Sequence, residues 1–180
     1  MFELTPKRTN TTARKMILLF FLGSAALIVT TMLVPTVPFR WIFQLVAVLL
    51  LTAGVFLTTR YVTKLFIYRI QDGDLTVTEA NSNGKRQITV CRVGLSGILS
   101  VTEQDTAGAA KEQIQALKKK RVKLFDYTVD LEPARSIFVI VSEGGEELAL
   151  RLSYDEALLA LLKDAVSDKE SSEFKDPANF

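Results

Sequence analysis

Two uncharged apolar runs constrain this chain more than any other feature. No charged residue occurs from Met16 to Phe39, and none again from Trp41 to Thr59. The first run, Met16 to Val34, reads MILLFFLGSAALIVTTMLV, and the second, Trp41 to Thr59, reads WIFQLVAVLLLTAGVFLTT. About 20 apolar residues are enough to span the hydrocarbon core as a helix. Neither run carries the polar stripe of a helix lying on a soluble core. The expectation is a membrane hairpin over residues 16–59, with helices at 16–34 and 41–59.

The link Pro35-Thr36-Val37-Pro38-Phe39-Arg40 joins them. Its two prolines forbid one continuous rod, and so short a link fits antiparallel neighbours. Phe39 and Trp41 then belong at the far interface, where aromatic rings are favoured. A secretory signal peptide is the rival for the first run. That run is too long for one, lacks a small-residue cleavage site, and is followed directly by a second span. Orientation follows from the basic residues. Lys7, Arg8, Arg14 and Lys15 precede the first span, Arg60, Lys64 and Arg69 follow the second, and the link holds Arg40 alone. Lys and Arg stay in the cytoplasm, so both termini are expected inside, at the plasma membrane.

Two small-residue faces are candidates for helix packing: Gly23, Ala26 and Thr30 on the first span, and Ala47, Gly54 and Thr58 on the second. Small residues let backbones approach where lipid offers no hydrophobic contrast. Gln44 is the one strongly polar side chain in either span, and no intramembrane charge marks an ion or proton path.

Beyond Arg60 the texture changes to short alternating runs with turn signals. Leu65–Gln71 meets Leu75–Ala80 across Asp72-Gly73-Asp74, a hairpin signal because glycine accepts positive φ. Lys85–Cys91, Ser96–Thr102 and a long strand Val122–Leu131 follow, with Phe125, Tyr127, Val129 and Leu131 on one face. Arg135–Ser142 and Glu147–Ser153 form a hairpin through Gly144-Gly145. In the last strand Leu148, Leu150 and Leu152 alternate with Ala149, Arg151 and Ser153, as in half-buried antiparallel sheet. A helix is expected at 109–120, with Ala110, Ile114 and Leu117 inward. A second helix follows the capping box Ser153-Tyr154-Asp155-Glu156, with an apolar stripe of Leu158, Leu161, Leu162 and Ala165. Residues 168–180 read as a polar, mobile tail, and residues 1–15 as a cytoplasmic N-terminal segment.

Seven strands and one amphipathic C-terminal helix form the element order of a pleckstrin-homology (PH) superfold. The stretch Ile88–Val101, ITVCRVGLSGILSV, resembles the paired strands of bacterial PH-like domains, and Glu147–Val166, ELALRLSYDEALLALLKDAV, resembles their last strand and helix. The resemblance covers roughly residues 61–167 and implies a cytoplasmic PH-like antiparallel barrel or sandwich over 60–167, with a helical insert near 109–120. It implies a bacterial membrane protein with a two-helix hairpin. A lipocalin-like or cystatin-like α+β sheet fits the same order.

Lys118, Lys119, Lys120 and Arg121, with Lys123, are the sharpest charge feature. Such a run can rest on anionic headgroups at about 1 kcal/mol per basic residue, or end a solvated helix whose dipole favours cations. Nucleic acid is not expected, since net charge is only +2 and stacking aromatics are not interleaved. The loop that carries phosphoinositide-binding cations in PH domains is acidic here, Gln71-Asp72-Gly73-Asp74.

Chemistry has little to work with. Histidine is absent, which removes the commonest base and metal ligand. Cys91 is the single cysteine, with no activating base and no disulfide partner, which fits a reducing compartment. The carboxylate pairs Asp72/Asp74, Asp126/Asp130 and Glu146/Glu147 read as turn or outward-facing residues rather than an acid–base pair. Gly94, Gly97 and Gly144-Gly145 fit bends and turns rather than a phosphate loop. No catalytic, metal or cofactor residues are expected. The expected role is a non-enzymatic membrane-anchored module that binds a protein or anionic lipid. The alternatives are an accessory subunit of a larger membrane complex, packing through its hairpin or self-associating, and, least, an enzyme.

Overall fold

The computed structural model describes residues 1–8, 11–34, 38–81 and 86–173. The chain divides into two compact units, residues 10–64 and residues 1–9 with 65–180.

In the first unit, α1 (Thr12–Leu33) and α2 (Arg40–Thr58) are both long and apolar enough to cross a membrane. α1 ends at Leu33, ahead of Val34 and Pro35, as a helix does before a residue that precedes proline. The link 35–37 lies outside the described residues. The helices are antiparallel: Ser24 Oγ donates to the Ala47 carbonyl at 2.9 Å, while Phe20 and Phe21 lie against Gly54. Their seam follows a 3–4 spacing, with Ala13, Ile17, Phe20, Ser24, Leu27 and Thr31 on one helix and Ala47, Leu50, Gly54 and Leu57 on the other.

Of the expected packing residues, Ala47 and Gly54 are buried in this seam, and Gly23 faces Leu50. Ala26 and Thr30 are exposed, and Thr58 is half-buried. Ser24 and Thr31 take the place of Ala26 and Thr30, because the seam is fixed by the Ser24–Ala47 bond and runs one residue round from Gly23. Thr30 and Thr58 instead return their hydroxyls to the carbonyls four residues back. A π-helical turn, Thr59–Thr63, ends the unit.

The second unit is an α+β domain of two four-stranded sheets. Sheet A has the order β1-β2-β3-β4: β1 (Phe2–Leu4), β2 (Lys64–Gln71), β3 (Asp74–Asn81) and β4 (Gln87–Gly94). Sheet B has the order β5-β7-β8-β6: β5 (Ile98–Gln104), β6 (Lys123–Asp126), β7 (Ser136–Glu143) and β8 (Glu146–Ser153). Asp72 and Gly73 both take positive φ, as do Gly144 and Gly145, which is the type I′ pattern whose twist suits a hairpin.

The core between the sheets joins Tyr68, Leu75 and Val77 to Ile137, Val139, Leu150 and Leu152. α4 (Glu156–Glu173) adds Leu158, Leu159 and Leu162 to it. α3 (Ala107–Lys119) covers the outer face of sheet B, where Ala110 and Leu117 meet Phe138 and Ala149. β7 is therefore buried on both faces, and its run SIFVI is continuous rather than alternating.

Several expectations are corrected. Eight strands are present among the described residues, in two separate sheets, and the barrel is not closed. The extra strand is β1, too short and too close to the N-terminus to show periodicity. The strand expected over 122–131 stops at Asp126, whose carboxylate accepts both the N–H and the hydroxyl of Thr128 and so turns the chain out of the ladder. β6 runs parallel to β8, because α3 carries the chain across the sheet. Asp155, not Ser153, caps α4, accepting the Leu158 N–H at 3.0 Å. Ser153 Oγ instead accepts the Val129 N–H. Leu161 is 39% exposed, and Leu159 takes its place in the core. α4 continues to Glu173, so the tail expected from 168 begins as helix, and residues 174–180 lie outside the described residues.

Candidate functional site

Lys118 and Lys119 end α3, and Lys120 is its C-cap. Arg121 follows with φ 59°, a left-handed conformation that usually belongs to glycine. The Val122 N–H reaches the Leu117 carbonyl and the Arg121 N–H reaches that of Lys118, both at 3.1 Å, closing a Schellman motif. Val122 and Leu117 pack in the same small core, so the turn is fixed from beneath. The four cations are thus held on an ordered corner, all exposed, and none has an ion-pair partner among the described residues. Lys123 differs: it meets Glu146 at 2.8 Å, and the pair holds the Lys123 amine above its usual range and the Glu146 carboxyl below it.

Of the carboxylates singled out above, Asp74, Asp126 and Glu146 are ion-pair partners. Asp74 bridges Arg92 at 2.6 Å, and Asp126 orders Thr128 and reaches Arg151 at 3.2 Å. Arg135 bridges Glu103 and Asp105 and lies 3.6 Å over the Tyr154 ring. Beside it opens a cavity of about 460 Å³, lined by Leu4, Lys7, Asp130, Arg135, Tyr154 and Asp155 among others. The sequence offered no sign of it, because its wall joins the N-terminal segment to a loop and a helix start far along the chain.

Cys91 lies half-buried beside Tyr127. Burial pushes the thiol up, so it is held protonated rather than activated. Burial likewise pushes the Tyr127 hydroxyl up to about 12, with a further contribution from Cys91. Tyr127 stacks on Phe125 with centroids 6.4 Å apart and meets Phe66 edge-on at 5.6 Å. Phe125, which shares a strand face with Tyr127, is 42% exposed on the edge strand β6. Ile88 and Val90, on the opposite sheet's edge, are 47% and 37% exposed. Their alternation within KRQITVC marks a strand; only the sheet order tells that the strand lies at an edge.

Comparison with protein-family models, with curated proteins and with solved structures finds no match.

Proposed function

We propose that the chain is a membrane-anchored, non-enzymatic interaction module: α1 and α2 span the plasma membrane as a hairpin, and the α+β domain is a PH-like module held at its cytoplasmic face. The observation that carries this reading is the pairing of β1 with β2. β1 precedes the hairpin and β2 follows it, yet Phe2, Glu3 and Leu4 face Ile70, Arg69 and Tyr68 in one antiparallel ladder. One folded unit therefore receives both ends of the hairpin, which supports both ends lying on the same side of a bilayer. Leu18, Leu22, Met32 and Phe56 are each at least 60% exposed, a surface that lipid accommodates and water does not. The basic residues flanking both spans support the cytoplasmic assignment. The PH-like reading draws on a strand meander, a second sheet and a final helix packed on the core between them. A tethered domain needs only weak contacts, because anchoring raises its effective concentration.

The non-enzymatic reading draws on engaged carboxylates and a protonated thiol. Anionic headgroups are the favoured ligand of the Lys118–Arg121 corner, since its four cations are exposed and without acidic partners among the described residues. Fusion reporters test the arrangement. A phosphatase active only outside the cytoplasm is active when inserted after residue 37 and silent when fused after residue 180; the reverse pattern defeats the orientation.

A further inference from the structure

Sheet A ends at β4 and sheet B at β6, and neither edge is covered by another strand among the described residues. Edge strands of soluble domains are usually guarded by charge, proline or a covering element. These two carry charges, Arg92 on β4 and Lys123 and Asp126 on β6, but also present Ile88, Val90 and Phe125. A β-bulge shapes the first edge: Val77 pairs with Cys91 and Thr78 with Thr89, which leaves Val90 without a partner on β3. The Val90 carbonyl accepts the Tyr127 hydroxyl at 3.5 Å, and Tyr127 stacks on Phe125. The two edges therefore share one apolar seam.

The seam lies at a particular end of the domain. β2 begins at Lys64, where the hairpin unit ends, and Phe66, near that start, touches Tyr127. β3 is the neighbour of β2, and its last residues, Glu79 and Ala80, pair with Ile88 and Gln87. The exposed start of β4 thus lies at the same end of sheet A as the start of β2.

Charge selects the occupant. Arg86 precedes Ile88 and is exposed, and the Lys118–Arg121 corner leads directly into β6. Of the acidic groups near the seam, Glu79 and Glu146 are engaged, Glu146 by Lys123, and Asp126 by Arg151, while the charge of Glu143 reaches Cys91 on β4. Apolar side chains flanked along the chain by cations suit an anionic lipid interface.

We propose that the β4–β6 seam is a lipid-contact surface: Ile88, Val90 and Phe125 enter the interface of the bilayer that holds the hairpin, while Arg86 and the Lys118–Arg121 corner bind its anionic headgroups. This rests on the reading above that the hairpin spans the membrane. Tryptophan quenching by phospholipids brominated on their acyl chains tests both separately, using the full-length protein in vesicles of brominated phosphatidylglycerol and phosphatidylcholine. The native chain carries its one tryptophan at position 41, so wild type reports on the hairpin. In a Trp41→Phe background, tryptophan is placed by Ile88→Trp, by Phe125→Trp, and by Leu99→Trp as an exposed control on β5. Residues seated at the headgroup–acyl boundary are quenched, while position 99 is unchanged. Replacing Arg86, Lys118, Lys119, Lys120 and Arg121 by Gln then removes most of the quenching at 88 and 125. Circular dichroism of each variant confirms that it is folded. An unquenched Trp41 defeats the spanning hairpin itself. A quenched Trp41 with unquenched positions 88 and 125 overturns the lipid surface alone and leaves the seam to a protein strand.

Discussion

The Tyr68 hydroxyl donates to the Tyr127 carbonyl at 2.8 Å and accepts the Ser153 N–H at 3.0 Å. Tyr68 is fully buried, so one phenol joins sheet A, the end of β8 and the loop after β6. Tyr68→Phe keeps the ring and removes both bonds, leaving a carbonyl and an N–H short of partners in the core. The cost is about 2–6 kcal/mol, since each orphaned buried group costs roughly 1–3 kcal/mol. Thermal unfolding of the detergent-solubilised protein, followed by circular dichroism, measures it.

The C-terminal helix separates two neighbours that look alike in sequence. Leu162 is fully buried, and Leu161 is 39% exposed. Leu162→Asp places an unpaired charge in the core and costs several kcal/mol, comparable with the stability of a small domain. Leu161→Asp lies on the surface and shifts stability by about 0.5 kcal/mol or less. Equal melting temperatures for the two variants would contradict the docking of α4.

The same pair shows what was legible in the sequence. The helix and its stripe were readable from spacing, but its phase was not, because Ser153 and Asp155 both offer a cap. Only the sheet contacts decide between them, giving Ser153 to Val129 and Asp155 to Leu158. The apolar helices were readable because their length and lack of charge act locally. β1 was not, since three residues carry no period and are strand only through β2. The exposed seam was equally hidden: Ile88, Val90 and Phe125 have core chemistry, and only the order of strands leaves them at edges.

Alkaline pH acts through Tyr127. Burial raises its hydroxyl from the ordinary value near 10 to about 12, and Cys91 beside it is raised by burial as well. A group whose folded pKa lies above its unfolded value binds its proton more tightly in the native state. Its stabilisation is therefore complete below pH 10 and disappears as pH climbs to about 12. Denaturant midpoints fall across that window in the wild type. Tyr127→Phe flattens the fall, leaving the smaller contribution of Cys91.

The pairing of β1 with β2 can be captured covalently. Glu3 and Arg69 are direct partners in the ladder, and their side chains meet at 2.7 Å near the surface. Facing residues on antiparallel strands have Cα atoms about 4.5–5.5 Å apart, within the range that a disulfide bridges. In a Cys91→Ser background, Glu3→Cys with Arg69→Cys should cross-link in membranes under mild oxidation and shift on a non-reducing gel. Glu3→Cys with Arg92→Cys should not, because Arg92 lies on β4 at the other edge of the sheet. Losing the ion pair itself is nearly neutral, as an exposed pair contributes about 0–1 kcal/mol. A bond between residues 3 and 69 encloses both helices in one loop, so it can form only when the two ends of the hairpin share a side of the membrane. Robust membrane insertion without the 3–69 cross-link would mean that β1 does not pair with β2, and the shared-side argument would lose its foundation.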